Sequence, residues 1–224
     1  MPTFDFLDGK GHVPAHQHPN GGGWVADTAN VANTAYVGPN ARVYGNALVF
    51  GDAEVFEDAR VYGNAKIFSN AKVYGNAKVY GNVEVYGYAK VYGYAQVYED
   101  TRVYENASVY NDALVYGNAE VFGNAEVYNR AEVYGNALVY GNVEVYGDAE
   151  VYGNARVYGD AWVSGNAVVS GNMKLSSNSK NVSSNEQEIA TPVANKDYPH
   201  LCPNCKSPAY IGFAKIDCSN NCGT

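Results

Sequence analysis

From Val25 to Leu175 an aliphatic residue returns at every sixth position without an insertion or deletion, twenty-six times in a row. Between these positions the chain reads mostly Ala-x-Val-Tyr-Gly-Asn. Ala and Val alternate with a variable residue and an aromatic one, which is the period-2 pattern of a short strand with one face buried. The following Gly-Asn supplies residue types that tolerate a left-handed backbone at a sharp corner. Each hexad is thus one side and one corner. Three sides close a triangular coil of eighteen residues, and residues eighteen apart stack at about 4.8 Å, the spacing of neighbouring strands. A unit this small cannot bury its own apolar face and must stack on its neighbours, so the pattern predicts a solenoid of eight to nine coils, roughly 40 Å long.

The inward positions are uniform. The small position is Ala throughout except at Val83, Thr101, Val143 and Met173. Close packing penalises added volume, so Ala beside Val implies a narrow, solid interior with no cavity for a ligand.

Val115, Asn118 and Ala119 show an aliphatic residue, a corner Asn three positions on and a small residue after it, and most hexads between residues 25 and 178 repeat this. In this the chain resembles the hexapeptide-repeat proteins. The resemblance implies an all-β left-handed parallel β-helix; the hand comes from the family and not from the period. One departure is consistent: the position after the aliphatic residue, often small in that family, is aromatic in twenty consecutive hexads from Tyr44 to Tyr158.

The family's known activities are acyl transfer with a catalytic His and a carbonic anhydrase with His-bound zinc at subunit boundaries. Neither has its residues on the rod. The four histidines are His12, His16, His18 and His200, all outside the repeats, and a general base must titrate near neutral pH within reach of the substrate. The uninterrupted register also lacks the long loop with which the acyltransferases cover the acyl donor. An acyltransferase relative and a polymer-forming scaffold like the right-handed bactofilins are the alternatives to a non-catalytic interaction protein. Outward Thr ladders of the ice-binding type are absent.

Net charge is −8, with 15 basic and 23 acidic residues, which disfavours a nucleic-acid clamp. No run is apolar enough to span a membrane, and no export leader precedes the repeats, so a cytoplasmic location is expected. The charges are sorted along the chain: Arg60, Lys66, Lys72, Lys78, Lys90 and Arg102 take the variable outward position in the first half, and Glu120, Glu126, Glu132, Glu144 and Glu150 in the second. This reads either as a solvated face or as docking by opposite fields.

The aromatic columns either stabilise the ladder by stacking or form an interface, because Tyr buries large area behind a polar tip. The richest belt is Tyr86, Tyr88, Tyr92, Tyr94 and Tyr98, where Tyr88 and Tyr94 replace the corner Asn. A homo-oligomer is expected, with a trimer implied by the family resemblance.

Residues 1–24 break the period and read as a cap, with Phe4, Phe6 and Leu7 placed to plug the rod. His12, His16 and His18 in this cap have a spacing that imidazole nitrogens use to hold a metal. Residues 179–199, rich in Ser and Asn, read as a linker. Residues 200–224 contain Cys202-Pro-Asn-Cys205 and Cys218-Ser-Asn-Asn-Cys222, all four cysteines of the chain. Two thiol pairs across a short hairpin-like stretch can enclose zinc tetrahedrally, and the module resembles a small zinc ribbon whose second pair is one residue wider than usual.

Overall fold

The computed structural model describes residues 1–176 and 182–183. Among them the chain is all β, with no helix. Short strands, most of two residues, repeat every six positions and stack into three parallel sheets that run the length of the solenoid. From Trp24 to Leu175 register follows the eighteen-residue coil: Val43 lies on Val61, Ile67 on Val85 and Val73 on Val91. Residues 24–175 therefore form a parallel β-solenoid with three faces.

Ala and Val build this because the space between three sides is narrow, with larger inward residues admitted at only a few levels such as Ile67, Val83 and Val143. From Ala35 to Val163 every residue of both inward columns is fully buried, Val83 and Val143 included. Thr101 is buried in an Ala position, and its hydroxyl donates to the Tyr98 carbonyl at 2.7 Å, which satisfies the one polar atom in the row. Each coil gives its backbone N–H groups to the next: Glu54 N–H donates to Ala71 O at 3.0 Å on a side, and Asn46 N–H to Gly63 O at 2.7 Å on a corner. Because the ladder continues round the corners, the backbone polar groups between coils are paired.

The corner itself divides the work of Gly-Asn. Positive φ falls on the residue after the aromatic one, at 66–93° where it is Gly. Glu57, Ser69, Glu99, Glu105, Asn111 and Asn129 occupy the same place with φ of 57–65°. The next position holds the stacked amide.

The N-terminal cap is a hairpin of Thr3–Asp5 and His12–Gln17, antiparallel to the first coil strand, Trp24–Ala26. It does not plug the interior. Ala26 stands where the first coil lacks its aromatic ring, and Phe6, 1% exposed, fills that place by stacking beneath Tyr44 at 4.9 Å. Phe4 stacks on Trp24 at 4.5 Å. Leu7, expected to help plug the rod, is instead exposed at 66% with φ of 60°. It is held by its N–H donating to Asp5 Oδ1.

At the other end the solenoid runs further than its composition suggests. Val182–Ser183, within the expected linker, pairs with Val163–Ser164, one residue out of the eighteen-residue register. The rest of the linker and the Cys module lie outside the described residues.

Candidate interaction surfaces

The sheet order assigns the outward residues to faces. The first face carries Tyr44, Tyr62, Tyr80, Tyr98, Tyr116, Tyr134 and Tyr152. The second carries Phe50, Phe68, Tyr86, Tyr104, Phe122, Tyr140 and Tyr158, and the third Phe56, Tyr74, Tyr92, Tyr110, Tyr128 and Tyr146. Every neighbouring pair in the three columns stacks, with centroids 4.7–5.5 Å apart and planes within 12°. Parallel rings at the coil spacing are slipped and not face to face, the arrangement their quadrupoles favour.

Corner amides form a second set of ladders. Asn46, Asn64, Asn82 and Asp100 bond in series, each amide donating to the next side-chain oxygen at 3.4, 3.0 and 2.8 Å. Asn118, Asn136, Asn154 and Asn172 do the same at 3.1–3.3 Å.

A third regularity was not read from the sequence. Tyr104, Tyr110, Tyr116, Tyr128 and Tyr134 each donate a phenol hydrogen to the Glu sixteen residues on, at 2.8–3.0 Å: Glu120, Glu126, Glu132, Glu144 and Glu150. The sixteen-residue offset places a carboxylate beside the next ring up, and the acidic half of the rod is where Glu occupies that position. Burial first, and then the bond to Glu150, pushes the Tyr134 phenol up to about 12. Tyr62 reaches about 12 by burial and by its Tyr44 and Tyr80 neighbours. Tyr104, Tyr110, Tyr116 and Tyr128 are raised further by burial and their carboxylate partners.

The faces differ in charge. On the second, Lys66, Glu84, Arg102 and Glu120 alternate and pair along the column, with Lys66–Glu84 at 2.9 Å and Arg102–Glu120 at 3.2 Å. On the third, Lys72 pairs with Glu54 at 3.1 Å, and beyond that pair like charges are neighbours, Lys72 against Lys90 and Glu126 against Glu144. The first face carries Arg42, Arg60, Lys78, Gln96, Leu114, Glu132 and Glu150 in order, and among the described residues none of its charges is in an ion pair. Like charges are direct neighbours there, Arg60 against Lys78 and Glu132 against Glu150. Arg42 lies over the Phe4 ring at 5.5 Å.

The expected tyrosine belt is not one patch. Tyr98 lies on the first face, Tyr86 on the second and Tyr92 on the third, so the belt encircles a single coil. Tyr88 and Tyr94 stand on two corners, 63% and 64% exposed. A flat partner reaches one face of it at a time.

The cap histidines are dispersed as well. His16 Nδ1 lies 2.9 Å from Asp27 Oδ1. His18 is buried, with Nδ1 accepting from the Asn20 N–H at 3.3 Å, and His12 is exposed opposite Asp5. Among the described residues no group of three or more His, Cys, Asp or Glu is arranged to hold a metal, His12, His16 and His18 included. The strand breaks after Gln17, and His18 turns inward while His12 and His16 face out. Cys202, Cys205, Cys218 and Cys222 lie outside the described residues, and so does His200. No helix among the described residues is long and apolar enough to cross a membrane.

Architecture and surface together define a β-solenoid repeat protein. Residues 41–55 and 149–165 match a family model described as the YdcK beta solenoid repeat, and over those two stretches the chain is similar to it. No curated protein matches the chain.

Proposed function

We propose that this protein is a non-catalytic structural or interaction protein, a rigid solenoid whose Tyr-rich faces serve self-association. The observation that carries the reading is the pairing of a solid Ala/Val interior with three unbroken columns of stacked rings outside it. A filled core leaves no internal site, and aromatic residues on flat faces are the usual anchors of protein interfaces. The reading extends to a cytoplasmic body with a left-handed winding, carried by the hexapeptide resemblance, and to a C-terminal module that binds one structural Zn2+ through Cys202, Cys205, Cys218 and Cys222. The same resemblance favours three copies, whereas the charges of the first face favour two, as argued below.

Light scattering across a concentration series tests the reading. Association in the micromolar range is expected, and a 24.1 kDa monomer throughout overturns it.

A further inference from the structure

We infer that the first face is the self-association surface and that it pairs with the first face of a second copy running antiparallel. The inference rests on the self-association proposed above and names its geometry.

The ring column on this face has defined ends. Tyr44 is buried under Phe6, and position 170 is Ser, so six rings remain open, from Tyr62 to Tyr152. Beside them stand Arg60, Lys78, Gln96, Leu114, Glu132 and Glu150. In order of height this column is positive, positive, neutral, neutral, negative, negative.

Such a column is antisymmetric about the level midway between Gln96 and Leu114. A two-fold axis lying in the face at that level, perpendicular to the rod, reverses height and preserves the lateral position. It therefore sets each column against its own copy. Arg60 then meets Glu150 of the second copy, Lys78 meets Glu132, and Gln96 meets Leu114. Each of these contacts occurs twice, which gives four ion pairs. The rings follow the same operation, with Tyr62 against Tyr152, Tyr80 against Tyr134 and Tyr98 against Tyr116. At the ends the cap hairpin over Tyr44 faces Ser170 and Val168, where the ring column has stopped.

A parallel arrangement of the same face does the opposite. A two-fold axis along the rod keeps height and reverses lateral position, so it sets the charge column against the ring column, Arg60 against Tyr62. The only charges it brings to one level are like ones, which forgoes all four ion pairs. The third face is segregated in the same sense, Lys72 and Lys90 below Glu126 and Glu144, but there Lys72 is already paired with Glu54; the first is the face on which all four segregated charges stand outside ion pairs.

Six coils span about 29 Å at strand spacing, and one six-residue side is about 20 Å wide. The face is thus roughly 580 Å² per copy, and a pair buries a little over the ~1,000 Å² that marks a specific interface. Four rim-accessible charge pairs at this size fit a salt-sensitive, micromolar dimer.

Carbodiimide coupling of the full-length protein, with mass spectrometry on a mixture of isotopically light and heavy chains, tests the geometry. Within one chain Lys78 and Glu132 are three coils apart, about 14 Å, beyond a zero-length link. The expected result is a dimer with a Lys78–Glu132 link joining light to heavy chains. The pair Arg60→Glu and Lys78→Glu weakens dimerisation by about tenfold or more, and adding Glu132→Lys and Glu150→Lys restores it, because the inverted column is again antisymmetric. An oligomer that lacks the link, or that ignores the charge reversal, overturns this geometry and leaves self-association standing; a trimer falls under this outcome. A monomer at every concentration overturns both. The link in the unaltered protein decides the matter even if a variant fails to fold.

Discussion

Replacing Gly135 by Ala tests why the corners of this rod are written with glycine. Two constraints meet there. Gly135 has φ of +71°, and a Cβ built on it would sit 2.9 Å from Gly153 N and 3.2 Å from Gly153 O in the next coil. A left-handed backbone costs a non-glycine residue about 1–2 kcal/mol. Loss of glycine's freedom in the unfolded chain returns about 0.4–1 kcal/mol. The close approach adds to the cost, because the neighbour is backbone and one whole coil must shift to relieve it. Net destabilisation of about 1–3 kcal/mol follows, or a Tm lower by roughly 2–10 °C for a chain of this size. Ser69 supplies the control: it holds the same corner position at φ 64°. Ser69→Gly removes left-handed strain while adding unfolded-state freedom, for a net gain of about 0.5 kcal/mol by the same two quantities. Calorimetry or a far-ultraviolet melt of both variants is the assay. A Gly135→Ala protein that melts at or above the parent, with a Ser69→Gly protein that melts below it, would refute the corner argument.

Other consequences are as direct. Tyr116→Phe keeps the stacks with Tyr98 and Tyr134 but deletes the donation to Glu132, so it should cost about 1 kcal/mol, measured by denaturant unfolding; no change would mean that the phenol bond is idle. Tyr88→Ser and Tyr94→Ser, on exposed corners, should stay within about 0.5 kcal/mol of the parent. Tyrosinate absorbance should show Tyr62 and Tyr134 still protonated above the ordinary value of 10.0. The folded state holds protons that the unfolded state releases, so this stability is complete below pH 10.0 and is lost as pH rises through about 12. Native protein whose tyrosines all titrate at the ordinary value would contradict the burial. Elemental analysis should find about one zinc per chain, and two disulfides by mass spectrometry would remove that site.

The fold was legible because the code of a solenoid is its period. Val at every sixth position and Ala between gave the coil, its length and its solid interior, and all three are present. What escaped was whatever depends on which of three faces a residue joins. The charges read in sequence as basic then acidic, yet stacking at eighteen sorts them differently: Lys66, Glu84, Arg102 and Glu120 alternate on one face, whereas Arg60, Lys78, Glu132 and Glu150 stay segregated on another. Tyr86, Tyr92 and Tyr98 are close in sequence and lie on three sides of one coil. The Tyr–Glu bonds span sixteen residues, an offset that acquires meaning only once the coil is closed. Phe6 took a place vacated by Ala26, which needed the hairpin's return path, and the Ser-rich composition after Leu175 hid a strand at Val182–Ser183.

A regular rod has a problem of register, and the first face carries a physical answer to it. Six equivalent tyrosines at one spacing would dock on a second copy equally well after a slip of one coil, just as a strand without a patterned face slips along its neighbour. The charge column removes that degeneracy. At the midway axis Arg60 meets Glu150 and Lys78 meets Glu132, each twice. One coil toward the cap, Arg60 meets Glu132 but Lys78 faces Leu114, and Glu150 is left to Arg42, which lies over the Phe4 ring. One coil the other way, Lys78 meets Glu150 while Arg60 faces Val168 and Glu132 faces Gln96. Each slip halves the number of accessible ion pairs and strands a charge against an uncharged side chain or one held under the cap. The rings supply contact area without choosing a register, and the four charges choose it without supplying much area. That division predicts that reversing charges changes whether and how the copies align, whereas thinning the ring column changes only how tightly they hold.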